Sequence, residues 1–268
     1  VAPARAAGIV VNSAADNKIA GDGDCTLREA IANAESDFDF TGGDCAAGSG
    51  GDTITFAGDY AIPVNSVLTV TNPTGLILDG SGRTISISGG GATPILQVLP
   101  GGGLEVRWLT LRNGTTTTKG GAIYNAGTLA VTGSTLAENT ADDGNSGTST
   151  ATGGAVYNDG GMVFINGSTF RQNASEFRGG GIYNNGGRVA ITNSTFSNHF
   201  AIFRGGTIYN DGGATTVTNS TIVVGNESFS YLFANVANVY NAAGTTTLTN
   251  SVLLRTATTN CFGVTANG

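Results

Sequence analysis

Apolar residues fall at every second position in a series of short runs, and Gly, Asn, Ser and Thr separate the runs. The clearest runs are Leu129–Thr132, Val163–Asn166, Val189–Thr192, Thr215–Thr218 and Thr246–Thr249. A period of two predicts strands with one face turned inward. The inward positions are Val131, Ile165, Ile191, Val217 and Leu248, and the outward positions are Thr132, Asn166, Thr192, Thr218 and Thr249. The next position is Gly133, Gly167, Asn193, Asn219 or Asn250. Gly and Asn share tolerance for positive φ, so this column reads as a left-handed corner. Stacking would place the Asn side chains over one another, and an amide ladder is expected along them.

A second pattern precedes each of these runs. It reads Gly-Gly-Ala-Ile-Tyr124-Asn125, Gly-Gly-Ala-Val-Tyr157-Asn158, Gly-Gly-Ile-Tyr183-Asn184 and Gly-Gly-Thr-Ile-Tyr209-Asn210, with a degenerate copy ending at Tyr240-Asn241. The tyrosines are 33, 26, 26 and 31 residues apart, so insertions sit in loops while the strands keep register. One such repeat cannot bury its own apolar face, but a stack of them can. The expected architecture is all-β, a right-handed parallel β-helix. Shorter strands upstream, Asp52–Phe56, Val67–Val70, Leu76–Leu78 and Thr84–Ile87, start the coils near residue 52 and carry them to 268, without a complete C-terminal cap.

Residues 1–51 then read as an N-terminal cap, because the open end of a solenoid exposes core and strand edge. Thr26-Leu-Arg-Glu29 fits a capping box, predicting a helix near 26–35. Leu27, Ala30, Ile31 and Ala34 share one face of it. The segment Gly23-Asp24-Cys25-Thr26-Leu27-Arg28-Glu29-Ala30-Ile31, with Asp52-Thr-Ile-Thr-Phe56 after it, resembles the bacterial domain named for its Cys-Ser-Leu-Arg-Glu-Ala motif. Thr26 stands here where that family usually has Ser. The later Gly-Gly-Ala-Ile repeats and the pair Phe170 and Asn173 are similar to repeats of chlamydial polymorphic outer-membrane proteins, which are adhesin-like. The resemblance implies a secreted or cell-surface β-helix and no established catalytic residue.

Composition narrows the partners. The chain has 268 residues, 43 of them Gly, and a net charge of −7. An acidic surface argues against nucleic acid, and no apolar run is long enough to span a bilayer. Cys25 and Cys45 flank Gly/Asp-rich turns and are expected to form a disulfide in a secreted protein, leaving Cys261 free or deprived of a partner.

Few residues suggest chemistry. His199 is the single histidine and falls where neighbouring coils place Asn139 and Asn173, so it reads as a turn residue standing in for Asn. Asp159 and Asp211 share a column with Asn185 between them, about 9–10 Å apart across two coils. That spacing suits an inverting glycosidase pair, and it is equally an ordinary turn signal. Arg178 and Arg204 follow Phe177 and Phe203, with Glu176 as a nearby anion; Lys119 and Thr152 occupy the same column. Guanidinium groups beside aromatic rings suit glycan binding. Asp16, Asp22 and Asp24 crowd one loop and are candidates for Ca²⁺; no other cofactor is expected. Non-catalytic adhesion or carbohydrate binding is therefore the expected function. A polysaccharide lyase or glycoside hydrolase acting on an acidic polysaccharide is the alternative, and a subunit that self-associates end to end is the second.

Overall fold

The computed structural model describes residues 7–145, 148–223, 237–254 and 261–267. The strands stack in parallel ladders, and the fold is a parallel β-helix. A sixteen-stranded sheet supplies two walls. One holds the runs at Thr128–Thr132, Met162–Asn166 and Arg188–Thr192, and the other holds the Tyr-Asn strands Ile123–Asn125, Val156–Asp159 and Ile182–Asn185. The long strand Ile208–Thr218 runs through both walls and joins them. An eight-stranded sheet from Tyr60–Pro63 to Val252–Leu254 forms the third wall, and a four-stranded sheet of two-residue strands closes the remaining side.

The inward ladder has the predicted register. Ile9, Ile54, Leu78, Val106, Val131, Ile165, Ile191, Val217 and Leu248 follow one another coil by coil, and all are buried. Phe170 stacks on Phe196 inside the same core, with centroids 4.7 Å apart. The glycine pairs serve this stacking. Gly153 sits at φ +71°, and a Cβ on Gly154 would collide with the Ala174 carbonyl of the neighbouring coil. The pair therefore lets one coil approach the next.

The left-handed corner is also as expected, with φ between +46° and +59° from Gly133 to Asn250. Trp108 extends the column upstream at φ +54°. The amide ladder predicted there is largely elsewhere. Asn250 does donate to Asn219 at 2.6 Å, but Asn193 donates to Asn166 at 3.2 Å. The continuous ladder is the buried one below the tyrosines. Asn125, Asn158, Asn184 and Asn210 each donate to the Asn of the following coil, at 2.7 to 2.8 Å, ending on Asn241. A parallel spine of serines stands beside the corner: the N–H of Ser134 donates to Ser168 Oγ, and so on through Ser194 and Ser220 to Ser251.

The structure adds a strand before the cap helix. Gly8–Val11 pairs in parallel with Asp52–Phe56, so the sheet begins at Gly8 and not at residue 52. The helix Leu27–Ser36 has the expected capping box, and Leu27, Ala30, Ile31 and Ala34 are its buried apolar residues. The Cys25–Cys45 disulfide holds its N-terminal end to the following loop. Arg28 binds Asp16 through two hydrogen bonds of 2.6 and 3.0 Å and donates to the Ser66 carbonyl at 2.7 Å. This strap ties the helix to the first coils. Asp16 is buried in it, so Arg28→Ala should cost about 2 kcal/mol, read from the urea midpoint of unfolding.

Candidate functional site

The column proposed from the sequence is real. Lys119, Thr152, Arg178 and Arg204 pair in register through parallel bridges at one corner of the coils. The side chains of Lys119, Arg178 and Arg204 lie over a stack of tyrosines. Tyr124, Tyr157, Tyr183, Tyr209 and Tyr240 stack in near-parallel planes with centroids 5.1 to 5.9 Å apart, and Phe262 continues the stack. Each cation covers the ring of the following coil: Lys119 over Tyr157 at 4.6 Å, Arg178 over Tyr209 and Arg204 over Tyr240, both at 5.0 Å. Arg178 also lies 4.1 Å above Phe177, which meets Phe203 edge to face at 5.1 Å. The rings Tyr157 to Tyr240 are buried, while Phe177, Phe203 and both arginines are half-buried. The strip thus presents the half-buried guanidinium and phenyl groups together with the partly exposed Lys119 ammonium. Among the described residues, the buried Nε of Arg178 has no hydrogen-bond partner.

Asp159 and Asp211 belong to the same neighbourhood, at the phenol ends of the stack. Tyr124 donates to Asp159 and Tyr183 to Asp211, both at 2.6 Å. Asn185, between them in register, donates to Asp159 at 2.7 Å, and Lys119 stands 3.7 Å from it. Partial burial works against the Asp159 charge, yet the hydrogen bonds from Tyr124 and Asn185 and the Lys119 charge outweigh it. They hold this carboxyl below the usual carboxylate range. The Tyr124 phenol is pushed up to about 12 by burial and by its bond to Asp159. An ionised Asp159 lacks the proton that the acid of a glycosidase pair must deliver.

Two of the expected groupings do not form. Asp16 is committed to Arg28 and to the Asn65 amide. Asp22 accepts the Asp24 amide, and Asp24 accepts the Ser13 hydroxyl. The three carboxylates therefore do not make the Ca²⁺ cluster suggested by their spacing. Among the described residues, the acidic groups close enough to share an ion are Asp142, Asp143 and Glu176. Glu176, expected between the arginines, instead accepts the backbone N–H groups of Asp143 and Gly144 at 3.2 and 3.1 Å. His199 does what the neighbouring asparagines do: its Nδ1 accepts the Asn173 amide at 3.2 Å, as Asn173 Oδ1 accepts that of Asn139 at 3.0 Å. Tyr recurs at the same place in every copy, but the sequence pattern alone does not reveal that the tyrosine stack is the bed of the cationic column.

Fold and site together define a parallel β-helix with a cation–aromatic strip along one corner. No protein-family model matches the chain, and no curated protein matches it closely enough to indicate common descent. The disulfide fits an oxidising or extracellular environment. Among the described residues, no helix is long and apolar enough to cross a membrane.

Proposed function

We propose that this chain is a non-catalytic carbohydrate-binding protein of the secreted or cell-surface β-helix kind, and that its Arg178/Arg204 strip takes an acidic glycan. The observation that carries the reading is the register of Lys119, Arg178 and Arg204 over the tyrosine stack. Three cations are aligned in one column of a chain whose net charge is −7. Uronate or sulfate groups repeat along an acidic polysaccharide as the guanidinium groups repeat along the coil axis. Forked hydrogen bonds from Arg would hold each anion, and Phe177 and Phe203 would face the apolar side of the sugar. The likeness of the cap segment to the Cys-Ser-Leu-Arg-Glu-Ala domain supports the surface location. The lowered Asp159 carboxyl does not suit the acid role in a glycosidase pair.

The test is calorimetric titration with hexagalacturonate. Binding should weaken steeply with salt, and Arg178→Ala with Arg204→Ala should lower affinity at least about tenfold, or 1.4 kcal/mol. Equal affinity in the double variant would refute the assignment, and release of unsaturated or reducing ends would establish the enzyme instead. End-to-end association is a second reading, favoured by Phe262, which continues the tyrosine stack and is exposed on the last described coil. A mass by light scattering that rises with concentration is its test.

A further inference from the structure

Trp108 is out of place in its column. Its backbone stands at φ +54°, in the corner that later coils fill with Gly133, Gly167, Asn193, Asn219 and Asn250. A bulky residue in the left-handed region costs about 1–2 kcal/mol. Burial does not offset this strain, because Trp108 is 56% exposed. The ring lies against the main chain of the next coil: a Cβ on Gly133 would come within 2.5 Å of the indole carbons. One face of the indole is therefore seated on Gly133, and the side chain remains open to solvent.

Beside that ring is an open pocket of about 510 Å³. Asp59, Ser81, Arg83, Thr84 and Thr135 line it with Trp108. The Thr84 amide donates to Asp59 at 2.8 Å, and the Ser81 amide donates to Asp79 at 2.8 Å, so the turn that forms the rim is fixed by its own side chains. With Thr110, the lining offers a carboxylate, a guanidinium and four hydroxyl groups around one flat aromatic surface. An anionic ligand would meet Asp59, and a cationic one would meet Arg83. A neutral polyol with an apolar face can use both charges as hydrogen-bond partners and lay its C–H groups on the indole.

We propose that Trp108 and this pocket form a binding subsite for a neutral pyranose unit of a polysaccharide. The site lies on a different corner of the coil from Arg178 and Arg204, and it takes a different class of sugar. It does not depend on the acidic-glycan reading.

The chain has a single tryptophan, so its emission reports this site alone. The intact protein is titrated with cellohexaose, xylohexaose and mannohexaose, with hexagalacturonate as the acidic comparison. At least one neutral hexasaccharide should change the emission saturably, with a Kd of about 0.1–1 mM. Trp108→Asn installs the residue that later coils use at this corner. By calorimetry it should bind that sugar at least about tenfold more weakly, and its melting temperature should not fall. Arg83→Ala, on the exposed rim, should weaken the same sugar while the fold is untouched. The proposal is overturned if none of the three neutral sugars changes the emission up to about 10 mM. It is also overturned if Trp108→Asn binds as tightly as the parent chain, or if that variant loses only thermal stability.

Discussion

Asn184→Ala is expected to destabilise the protein by about 4 kcal/mol, the largest effect of any single side chain considered. Asn184 is fully buried and donates to the Asn210 side chain at 2.7 Å and to the Gly187 carbonyl at 3.0 Å. Its own Oδ1 accepts from Asn158 at 2.8 Å. Truncation removes one rung: Asn158 keeps Gly161 as acceptor but loses the partner of its second amide N–H, and Asn210 Oδ1 loses the Asn184 donor and keeps only the Thr215 hydroxyl. Each buried group stranded in this way costs about 1–3 kcal/mol. The surface corner provides the contrast. Asn193→Gly keeps the backbone conformation at φ +50° and loses an exposed amide, so it should stay within about 0.5 kcal/mol of the parent. Urea denaturation of both variants compares the two asparagine columns directly. Equal, small losses would mean that the buried ladder does not hold the coils together.

Acid should destabilise the protein through His199 before its carboxylates titrate. Burial pushes the imidazole down to about 4, from an ordinary value of 6.5. Its Nδ1 accepts the Asn173 amide, and protonation there would break that bond. The unfolded chain takes up the proton below pH 6.5, whereas the folded chain resists until about pH 4. Stability is therefore complete above about pH 6.5, declines as the pH falls, and has lost about 3 kcal/mol below about pH 4. His199 is the only histidine, so this limb of the profile has one source. His199→Asn restores the residue of the neighbouring coils and cannot titrate. It should abolish the decline between pH 6.5 and 4 and leave stability at neutral pH nearly unchanged. A decline that persists in the variant would assign it to other groups.

The sequence made the coil legible because a strand's period of two and a solenoid's register reinforce each other. Val131, Ile165, Ile191 and Val217 recur at equivalent places in their runs, and the strands pair in that register. The cap helix was equally clear, since Thr26 and Glu29 satisfy its first amides. Gly8–Val11 was not, because four residues carry little periodicity and their partner strand lies beyond the whole cap. The two asparagine columns show a second limit. Both recur in register, but only the turn geometry decides which points inward, so the sequence pattern alone puts the ladder on the surface corner. The carboxylates of Asp16, Asp22 and Asp24 are close in sequence, yet Arg28 draws the first away. Cations and tyrosines were each visible as columns. That every cation covers the ring of the next coil depends on the offset between walls, which spacing alone does not set. Trp108 left a signal: Arg107-Trp108-Leu109-Thr110 aligns with Thr132-Gly133-Ser134-Thr135, which puts an indole where glycine belongs.

The strip at Arg178 and Arg204 is the center of the functional account, and the arginine side chains themselves can report on it. The Nε–H resonances are followed by NMR during a hexagalacturonate titration, with Arg178→Ala and Arg204→Ala supplying the assignments. The resonances of Arg178 and Arg204 should shift together and saturate at one concentration, while those of Arg171 and Arg188 stay in place. No saturable shift, or equal shifts of all four, would contradict a glycan site on this corner.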